Sequence, residues 1–256
     1  MTESKLLIEK GQGVCTLTMN RPAVMNALDV EFVKELQEAF ASLESSTDVR
    51  VVVLQGAGGN FSSGADMSFL NAEHGAPESL QGMRLVGKLV RTIREIPQPV
   101  ITKVRGVAVG GGANLALAGD FVVASHDARF CQVFVNIGAI TDMGGTYFLP
   151  RLVGLAKARE LAMLGEIIDG ETAASIGLIY RSFPDEELDR EVDSLASRLS
   201  QKSPAAMTLI KEGLEASLGM SLSEVLEWEA AHQAIMLQTK EHKEAVERYL
   251  RSRGKL

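Results

Sequence analysis

Residues 100–114 read VITKVRGVAVGGGAN, and this stretch decides the fold class. Its first five residues predict a strand, and the glycine-rich loop at 106–112 leads into a predicted helix at 113–118. An apolar run at 121–124 predicts the next strand. The order strand, loop, helix, strand is typical of βαβ units and predicts a mostly parallel sheet in an α/β fold.

The rest of the chain divides into an α/β part and a helical part. Before residue 100 the pattern predicts, in order, two strands within 5–19, a helix capped by Asp29, a strand at 51–54 and a helix at 77–96. Beyond about residue 145 nearly all predicted elements are helices, at 155–164, 170–176, 185–200, 203–217 and 221–252. We therefore predict an α/β core at 1–197 and a helical C-terminal region at 198–256.

The composition excludes several classes of protein. The 256 residues carry 26 Lys or Arg against 33 Asp or Glu, a net charge of −7, so nucleic acid is not expected as a partner. No apolar run is long enough to span a membrane and the N-terminus resembles no signal peptide, so we expect a cytoplasmic protein without a membrane partner. The scattered His and Cys residues lack the spacing of metal ligands, so no catalytic metal is expected.

Two predicted strand-to-helix loops place small residues directly before a helix. One is FSSGAD at 61–66 and the other is GVAVGGGAN at 106–114. Backbone N–H groups at a helix start have no partner within the helix, and two that converge on one oxygen form an oxyanion hole. A tight turn with close packing and a phosphate-binding loop are the alternatives. Since no Gly-Lys-Ser/Thr follows the glycines, the Walker type of phosphate loop is excluded.

An ordered set of motifs resembles the crotonase (enoyl-CoA hydratase/isomerase) superfamily. Between residues 5 and 250 the similar segments follow the family's order and spacing, and the ordered set is specific although each piece alone is weak. The segments are NRPAVMNAL at 20–28, SGAD at 63–66, the glycine-rich segment 106–120, the loop and helix at 138–154 and the ending at 241–250.

The resemblance implies a crotonase-like ββα spiral core, a helical C-terminal trimerisation region and an acyl-CoA substrate. Coenzyme A is then part of the substrate, and no separate cofactor is expected. Carried onto this chain, the resemblance makes the amides of Ala65 and Gly111 the oxyanion hole for the thioester oxygen. Ser63, Gly64 and Gly110 lie beside them as substrate-binding residues.

A homotrimer or homohexamer is implied as well, and the helical tail supports it independently. The tail carries more apolar side chains than a single core needs. Examples are Leu222, Val225, Trp228, Ile235 and Met236.

The chain departs from the family's hydratases at two positions. Those enzymes use two glutamates to hold and activate water, and Asn114 and Phe134 stand at the matching positions here. An amide and a phenyl ring cannot divide the acid and base roles as two carboxylates can. We predict that both residues contact substrate, Asn114 by hydrogen bonding and Phe134 as apolar wall, and that hydration by the two-glutamate route is weak.

A carboxylate reappears at Asp142, within ITDMGGT at 140–146. Resemblance to the Δ3,Δ2-enoyl-CoA isomerases and to the ring-opening isomerase of phenylacetate degradation makes Asp142 the catalytic base. The 4-chlorobenzoyl-CoA dehalogenases place a nucleophilic Asp here too, and an N-cap of the following helix is the plain alternative. The small apolar neighbours predict a desolvated carboxyl group with a raised pKa.

Basic residues are needed for the phosphates of coenzyme A. The candidates are Arg21, Lys103, Arg251 and Arg253. Asp66 is placed among the substrate-binding residues as a residue that caps or structures its loop. Residues 67–70 are candidates for the acyl tunnel, with ordinary core packing as the alternative.

Three functions are compatible with these residues. In an enoyl-CoA isomerase, Asp142 would remove a C2 proton of a 3-enoyl-CoA while the two amides hold the enolate. A hydratase with other acid and base residues is the second possibility, and an acyl-CoA-binding protein without catalysis is the third. Asp142 separates the first function from the third, and Asn114 with Phe134 separates the first from the second.

Overall fold

Strands and helices alternate along most of the chain, and the predicted α/β fold class is confirmed. The computed structural model describes residues 4–66 and 75–253, which fall into two compact units, Met1–Ser200 and Gln201–Leu256. In these residues the strands are β1 (Leu6–Gly11), β2 (Val14–Met19), β3 (Val51–Gly56), β4 (Val100–Val104), β5 (Val107–Val109), β6 (Phe121–Ser125), β7 (Arg129–Cys131), β8 (Ile167–Asp169) and β9 (Arg181–Phe183).

The helices are equally well defined. They are α1 (Val30–Leu43), α2 (Ala76–Glu95), α3 (Gly111–Leu117), α4 (Gly145–Leu164), α5 (Gly170–Ser175), α6 (Asp185–Ser200), α7 (Pro204–Ser217), α8 (Leu222–Met236) and α9 (Lys240–Ser252), with 3-10 helices at Pro22–Val24 and Val133–Ile137. The expected division at 197/198 falls within the last turn of α6. No helix in this part of the chain is both long enough and apolar enough to cross a membrane.

The first unit is built on a sheet with the strand order β1-β2-β3-β4-β6-β9. Strands β1 and β2 form an antiparallel hairpin, and the other neighbouring pairs are parallel. Parallel neighbours need crossover connections, which α1, α2 and α3 supply. A smaller sheet has the order β5-β7-β8. Strand β3 ends shortly before the first glycine-rich loop, at 61–66, and β5 lies within the second, at 106–114.

Strand β3 shows how the core is divided between the two faces of the large sheet. Val52 and Leu54 belong to the larger apolar cluster, which includes side chains of α1 and α2. Val51 and Val53 belong to a smaller cluster with the apolar side of α6. A strand covered on both faces reads as a continuous apolar run, as the sequence predicts here.

Helix α1 begins where the sequence predicts. The carboxylate of Asp29 accepts the backbone N–H of Phe32 at 2.7 Å, which caps the helix. The apolar residues at helical spacing from Phe32 to Leu43 are buried in the larger cluster. Because α1 is fixed at its first turn, Leu28 and Asp29 are held next to the loop at 61–66.

Helix α4 begins at Gly145 rather than at the predicted residue 155. Gly154 inside it has non-helical angles, φ 72° and ψ 163°, and Pro150 lies one turn before. Both residues have low helix propensity, so local pattern does not reveal the first half of the helix. The burial of Phe148 in the core stabilises that half. The three-residue strands β5, β7, β8 and β9 are also absent from the prediction, since so few residues show no periodicity.

The second unit consists of α7, α8 and α9. The N-cap residues of its helices are Ser203, Ser221 and Thr239, and the hydroxyl group of each accepts a backbone N–H of the first turn. The prediction of one helix at 221–252 is wrong, because the chain turns at 237–239 and Thr239 caps a new helix. None of residues 201–251 is buried.

Candidate active site

A cavity of about 550 Å³ lies where the loops after β3 and β5 meet α1, α2 and the segment 133–143. Its wall is mostly apolar. The predicted site residues Ser63, Gly64, Ala65, Gly110, Gly111, Phe134 and Asp142 all line it. The structure thus brings together residues that are far apart in sequence.

Direct backbone contact joins the two glycine-rich loops. Ser62 and Ala108 form a β-bridge, and Leu28 pairs with Ala65 in a second one. Gly64 has φ +88°, and a Cβ at this position would stand 2.6 Å from the carbonyl oxygen of Val109 and 3.3 Å from the amide nitrogen of Gly111. Only glycine fits this conformation and this approach.

The amides of Ala65 and Gly111 are the two backbone groups that the sequence singles out. Around Ala65, the N–H of Leu28 donates to the Gly64 carbonyl at 2.8 Å and the N–H of Asp66 donates to the Leu28 carbonyl at 3.0 Å. Within residues 4–66 and 75–253, neither Ala65 nor Gly111 donates its own N–H to a backbone carbonyl. Both residues border the cavity.

Asp142 lies on the same wall. A Cβ placed on Gly111 would be 3.9 Å from Oδ1 of Asp142. That oxygen is buried and has no hydrogen-bond partner in the described part of the chain. Burial raises the pKa of the Asp142 carboxyl group to about 6, and its own backbone amide lowers it slightly. The alternative that Asp142 is an N-cap is wrong, because the N-cap residue of α4 is Gly144 and no side chain accepts a backbone N–H there.

Asn114 does not reach the cavity, contrary to the prediction that it contacts substrate. Its amide nitrogen donates to Thr141 Oγ1 at 3.0 Å and to the carbonyl oxygen of Asp142 at 2.8 Å. Its carbonyl oxygen accepts Nε2 of Gln132 at 2.8 Å. The side chain is fully buried, and its hydrogen-bonding groups are engaged by the protein.

Gln132 escaped the sequence analysis altogether. It follows β7 and is buried, and its Oε1 accepts the hydroxyl of Thr141 at 3.0 Å. No motif or periodicity marks such a residue, since its role depends on partners in two other segments. Phe134, two positions on, contributes apolar wall as predicted.

Arg21 is engaged by the protein rather than free for a phosphate. Its guanidinium donates to the carbonyl of Ala27 and lies 3.1 Å from Asp29 Oδ2 and 3.0 Å from Asp66 Oδ2. Asp29 also pairs with Lys5 at 3.0 Å. Two carboxylates hold one half-buried guanidinium, so the predicted phosphate contact of Arg21 is not what the structure shows. Asp66 structures its loop through this ion pair and does not border the cavity.

The other basic candidates lie elsewhere. Lys103 faces a polar groove between β1, β2 and α6 and pairs with Asp189 at 2.7 Å. In the second unit, Arg251 pairs with Glu247 at 3.7 Å. Arg253, the remaining predicted phosphate ligand, lies 5.3 Å from the ring centroid of Tyr249. The tunnel candidates at 67–70 lie outside the described residues.

Known proteins are similar to this one over nearly the whole chain. The 1,2-epoxyphenylacetyl-CoA isomerase of Escherichia coli (strain K12) is 36% identical over 246 residues, 95% of this chain and 94% of that protein. The crotonyl-CoA hydratase of Syntrophomonas wolfei is 32% identical over 254 residues, 99% of this chain and 97% of that protein. The crystal structure of an enoyl-CoA hydratase from Mycobacterium smegmatis matches with a TM-score of 0.93 and 29% identity, covering 98% of this chain and 97% of that one.

Some of these relatives are named isomerases and others hydratases. The sequence pattern of the enoyl-CoA hydratase/isomerase family matches residues 9–255. The fold, the two joined loops and the ordered motifs agree with that assignment. The chain therefore belongs to the enoyl-CoA hydratase/isomerase (crotonase) family of acyl-CoA enzymes.

Proposed function

We propose that the protein is an enoyl-CoA isomerase that moves the double bond of a 3-enoyl-CoA to position 2. The observation that carries the proposal is the carboxyl group of Asp142, whose buried Oδ1 has no hydrogen-bond partner in the described residues and lies beside Gly111 at a largely apolar cavity. Asp29 also borders this cavity, but its carboxylate caps α1 and pairs with Arg21 and Lys5. Asp142 is thus the better base.

The reaction needs one proton transfer out and one back. The thioester oxygen sits between the amides of Ala65 and Gly111, which stabilise the negative charge that develops on it. Asp142 removes a proton from C2, and the electron pair of that bond forms the enolate. The same carboxyl group then delivers the proton to C4, and the double bond appears between C2 and C3. Burial supports this role, since a pKa of about 6 suits a base that works near neutral pH.

The side chains at the two glutamate positions of the hydratases disfavour hydration here. Two acid/base groups hold and activate water in the hydratases that this chain resembles, whereas here Phe134 is wall and Asn114 is bonded to Gln132 and Thr141. We expect hydration of a 2-enoyl-CoA to be at least ~10²-fold slower than in such a hydratase, about the contribution of one positioned acid/base group.

Product identification tests the proposal directly. Purified protein is incubated with a panel of 3-enoyl-CoA and 2-enoyl-CoA thioesters, and the products are identified by mass and NMR. A 2-enoyl-CoA formed from a 3-enoyl-CoA without a change in mass supports the isomerase. Rapid formation of a 3-hydroxyacyl-CoA overturns it in favour of a hydratase. Tight binding of the thioesters with no turnover of any overturns it in favour of a binding protein.

A second candidate reaction comes from the similarity to the E. coli protein. That relative is named 1,2-epoxyphenylacetyl-CoA isomerase, and it is similar over 95% of this chain. Isomerisation of an arene epoxide carried on a coenzyme A thioester would use the same cavity and the same carboxylate. Including this thioester in the panel decides between an aliphatic and a ring substrate by the ratio of the two kcat/KM values.

We also propose that copies of the chain assemble as a homotrimer or homohexamer through the second unit. Leu222 and Ile235 are 74% and 65% exposed there, and no residue of 201–251 is buried. Exposed apolar surface of this kind favours association. Light scattering at micromolar concentration tests this, and a stable monomer would contradict it.

A further inference from the structure

We infer that Gln132 is a positioning residue: through Asn114 and Thr141 it holds the loop that presents the Asp142 carboxylate to the cavity. The inference rests on the proposed role of Asp142 as the base. It concerns how that base is held, which the motifs and the comparisons leave open.

The three side chains form a closed ring of hydrogen bonds. Asn114 donates to Thr141 Oγ1 at 3.0 Å, Thr141 donates to Gln132 Oε1 at 3.0 Å, and Gln132 donates back to Asn114 Oδ1 at 2.8 Å. Asn114 comes from α3, Gln132 from the residue after β7, and Thr141 from the loop before α4. The ring therefore ties three separate segments together at the cavity wall, where Thr141 lines the cavity and Asn114 and Gln132 lie behind it.

The direction of every bond in the ring is fixed by one group. The carbonyl oxygen of Asp142 can only accept, and Asn114 Nδ2 lies 2.8 Å from it. This assigns the nitrogen of Asn114, so its oxygen must accept from Gln132, and the oxygen of Gln132 must accept from Thr141. A network with one consistent direction and buried members defines one loop conformation.

The ring is also bonded to the backbone carbonyl of Asp142, through Asn114. That carbonyl also accepts the N–H of Gly145 at 2.8 Å, so both of its lone pairs are used. A Cβ on Gly145 would overlap Thr141 Oγ1 and would stand 2.6 Å from Asn114 Nδ2, so the start of α4 closes directly over the ring. The carboxylate of Asp142 itself makes no contact with the ring. Gln132 therefore acts on Asp142 through the position of its loop and not by contact with its carboxylate.

Replacing Gln132 with Met tests the inference, because Met matches Gln in length and volume but offers neither the donor nor the acceptor. We expect kcat for 3-enoyl-CoA isomerisation to fall about 10-fold to 100-fold, since a small misplacement of a reacting group has effects of this size. KM should change by less than about threefold, because Gln132 does not line the cavity.

A second measurement needs no turnover. The pKa of the Asp142 carboxyl group can be followed by carbon NMR in protein labelled at aspartate. Burial is the cause of its raised pKa, and no charged side chain contributes to it. We expect a fall of about one unit in Gln132→Met as water reaches a loosened loop. If the wild-type protein isomerises no enoyl-CoA, the proposed function fails, but this shift still tests the positioning role.

Gln98→Met is the matched control. Gln98 and Gln132 are both 5% exposed, and Gln98 donates to the carbonyl of Leu43 at 2.8 Å, away from the cavity. We expect it to retain the kcat and the Asp142 pKa of the wild type. The inference is overturned if Gln132→Met leaves both unchanged, or if Gln98→Met lowers kcat as much. Should Gln132→Met not fold, Thr141→Val breaks the same ring and Thr141→Ser restores it; because Thr141 also lines the cavity, the pKa of Asp142 is the deciding measurement for this pair.

Discussion

The candidate site has two halves that are built in different ways. In the backbone half, residues 62–65 and 109–111, the proposed ligand-binding groups are amides, a β-bridge between Ser62 and Ala108 joins the two loops, and Gly64 has a conformation that only glycine fits. In the side-chain half, one carboxylate faces the cavity and a ring of amide and hydroxyl groups holds its loop. Its members are Asp142, Asn114, Gln132 and Thr141.

Because of this difference, we expect fold and function to be coupled in the backbone half and separable in the side-chain half. Only proline removes a backbone N–H, and any other change acts on an amide by shifting its loop. A carboxylate can be exchanged for an amide of the same size with little effect on packing. The four experiments that follow test this contrast.

Asp142→Asn is expected to have the largest effect on catalysis. Turnover of 3-enoyl-CoA should fall about 10²-fold to 10⁴-fold, the usual contribution of a positioned general base. The binding of a saturated acyl-CoA should stay within about threefold, because the amides of the backbone half are untouched. Steady-state kinetics and calorimetric titration measure the two quantities. Full turnover in the variant would mean that another group is the base, with Asp29, the other carboxylate that the described residues place at the cavity, the next to test.

Gly64→Ala is expected to affect stability and catalysis together. Gly64 has φ +88° and its Cβ would meet the Val109 carbonyl at 2.6 Å, so the loop must move. Moving one oxyanion donor should lower kcat/KM by about 10²-fold to 10³-fold. The matched control is Gly59→Ala, because Gly59 has φ +75° but its Cβ would meet nothing within 4 Å.

The comparison of these two variants isolates packing from backbone strain. We expect Gly59→Ala to lose some thermal stability and to keep its kcat/KM, whereas Gly64→Ala loses both. A Gly64→Ala protein that yields no soluble product while Gly59→Ala does supports the same coupling. A soluble Gly64→Ala protein with wild-type kcat/KM would contradict it.

The sequence predicted the backbone half of the site better than the side-chain half. The loops at 61–66 and 106–114 are local motifs that mark two helix starts, and the resemblance to the crotonases then names the amides of Ala65 and Gly111 within them. Asp142 is named through the resemblance to the isomerases, and its raised pKa could be predicted because its apolar neighbours are adjacent in sequence. Gln132 could not be predicted, since its partners Asn114 and Thr141 lie in other segments and the ring exists only in three dimensions.

Charged residues show the same limit. Arg21 belongs to a recognisable motif, which suggested a ligand contact, but its partner Asp66 is 45 residues away in sequence. Once the fold brings them together, the ion pair with Asp66 and Asp29 occupies the guanidinium. Type and position of a basic residue therefore do not show whether its charge is free.

Helix ends are similarly hard to predict. Thr239 is an N-cap in the structure, but one polar residue in a long helical pattern is too weak a signal to divide that helix in two.

Asp142→Asn should also make the protein more stable at alkaline pH, by up to about 3 kcal/mol at pH 8. The pKa of Asp142 is about 6 in the folded state against an ordinary 3.8, so the folded state holds the proton more tightly than the unfolded one. The stability that this group contributes is fully present below pH 3.8 and is lost as the pH rises through 6. An Asn has no proton to lose. Urea unfolding at pH 4 and pH 8 measures the difference, and a variant that is less stable than wild type at pH 8 would show that the carboxylate has a structural partner.

The smallest expected effect is the pH dependence of the wild-type reaction, and it separates the two halves without any substitution. A base must be deprotonated to act, so kcat/KM for 3-enoyl-CoA should be flat above pH 7 and should fall about tenfold between pH 7.5 and pH 5, given a carboxyl pKa of about 6. The backbone amides do not titrate, so they contribute nothing to this fall. The residual activity of Asp142→Asn should lack the fall. A wild-type profile that is flat down to pH 5 would mean that the carboxylate is more hydrated during turnover than in the structure described above, and a profile that the Asn variant shares would assign the titration to another group.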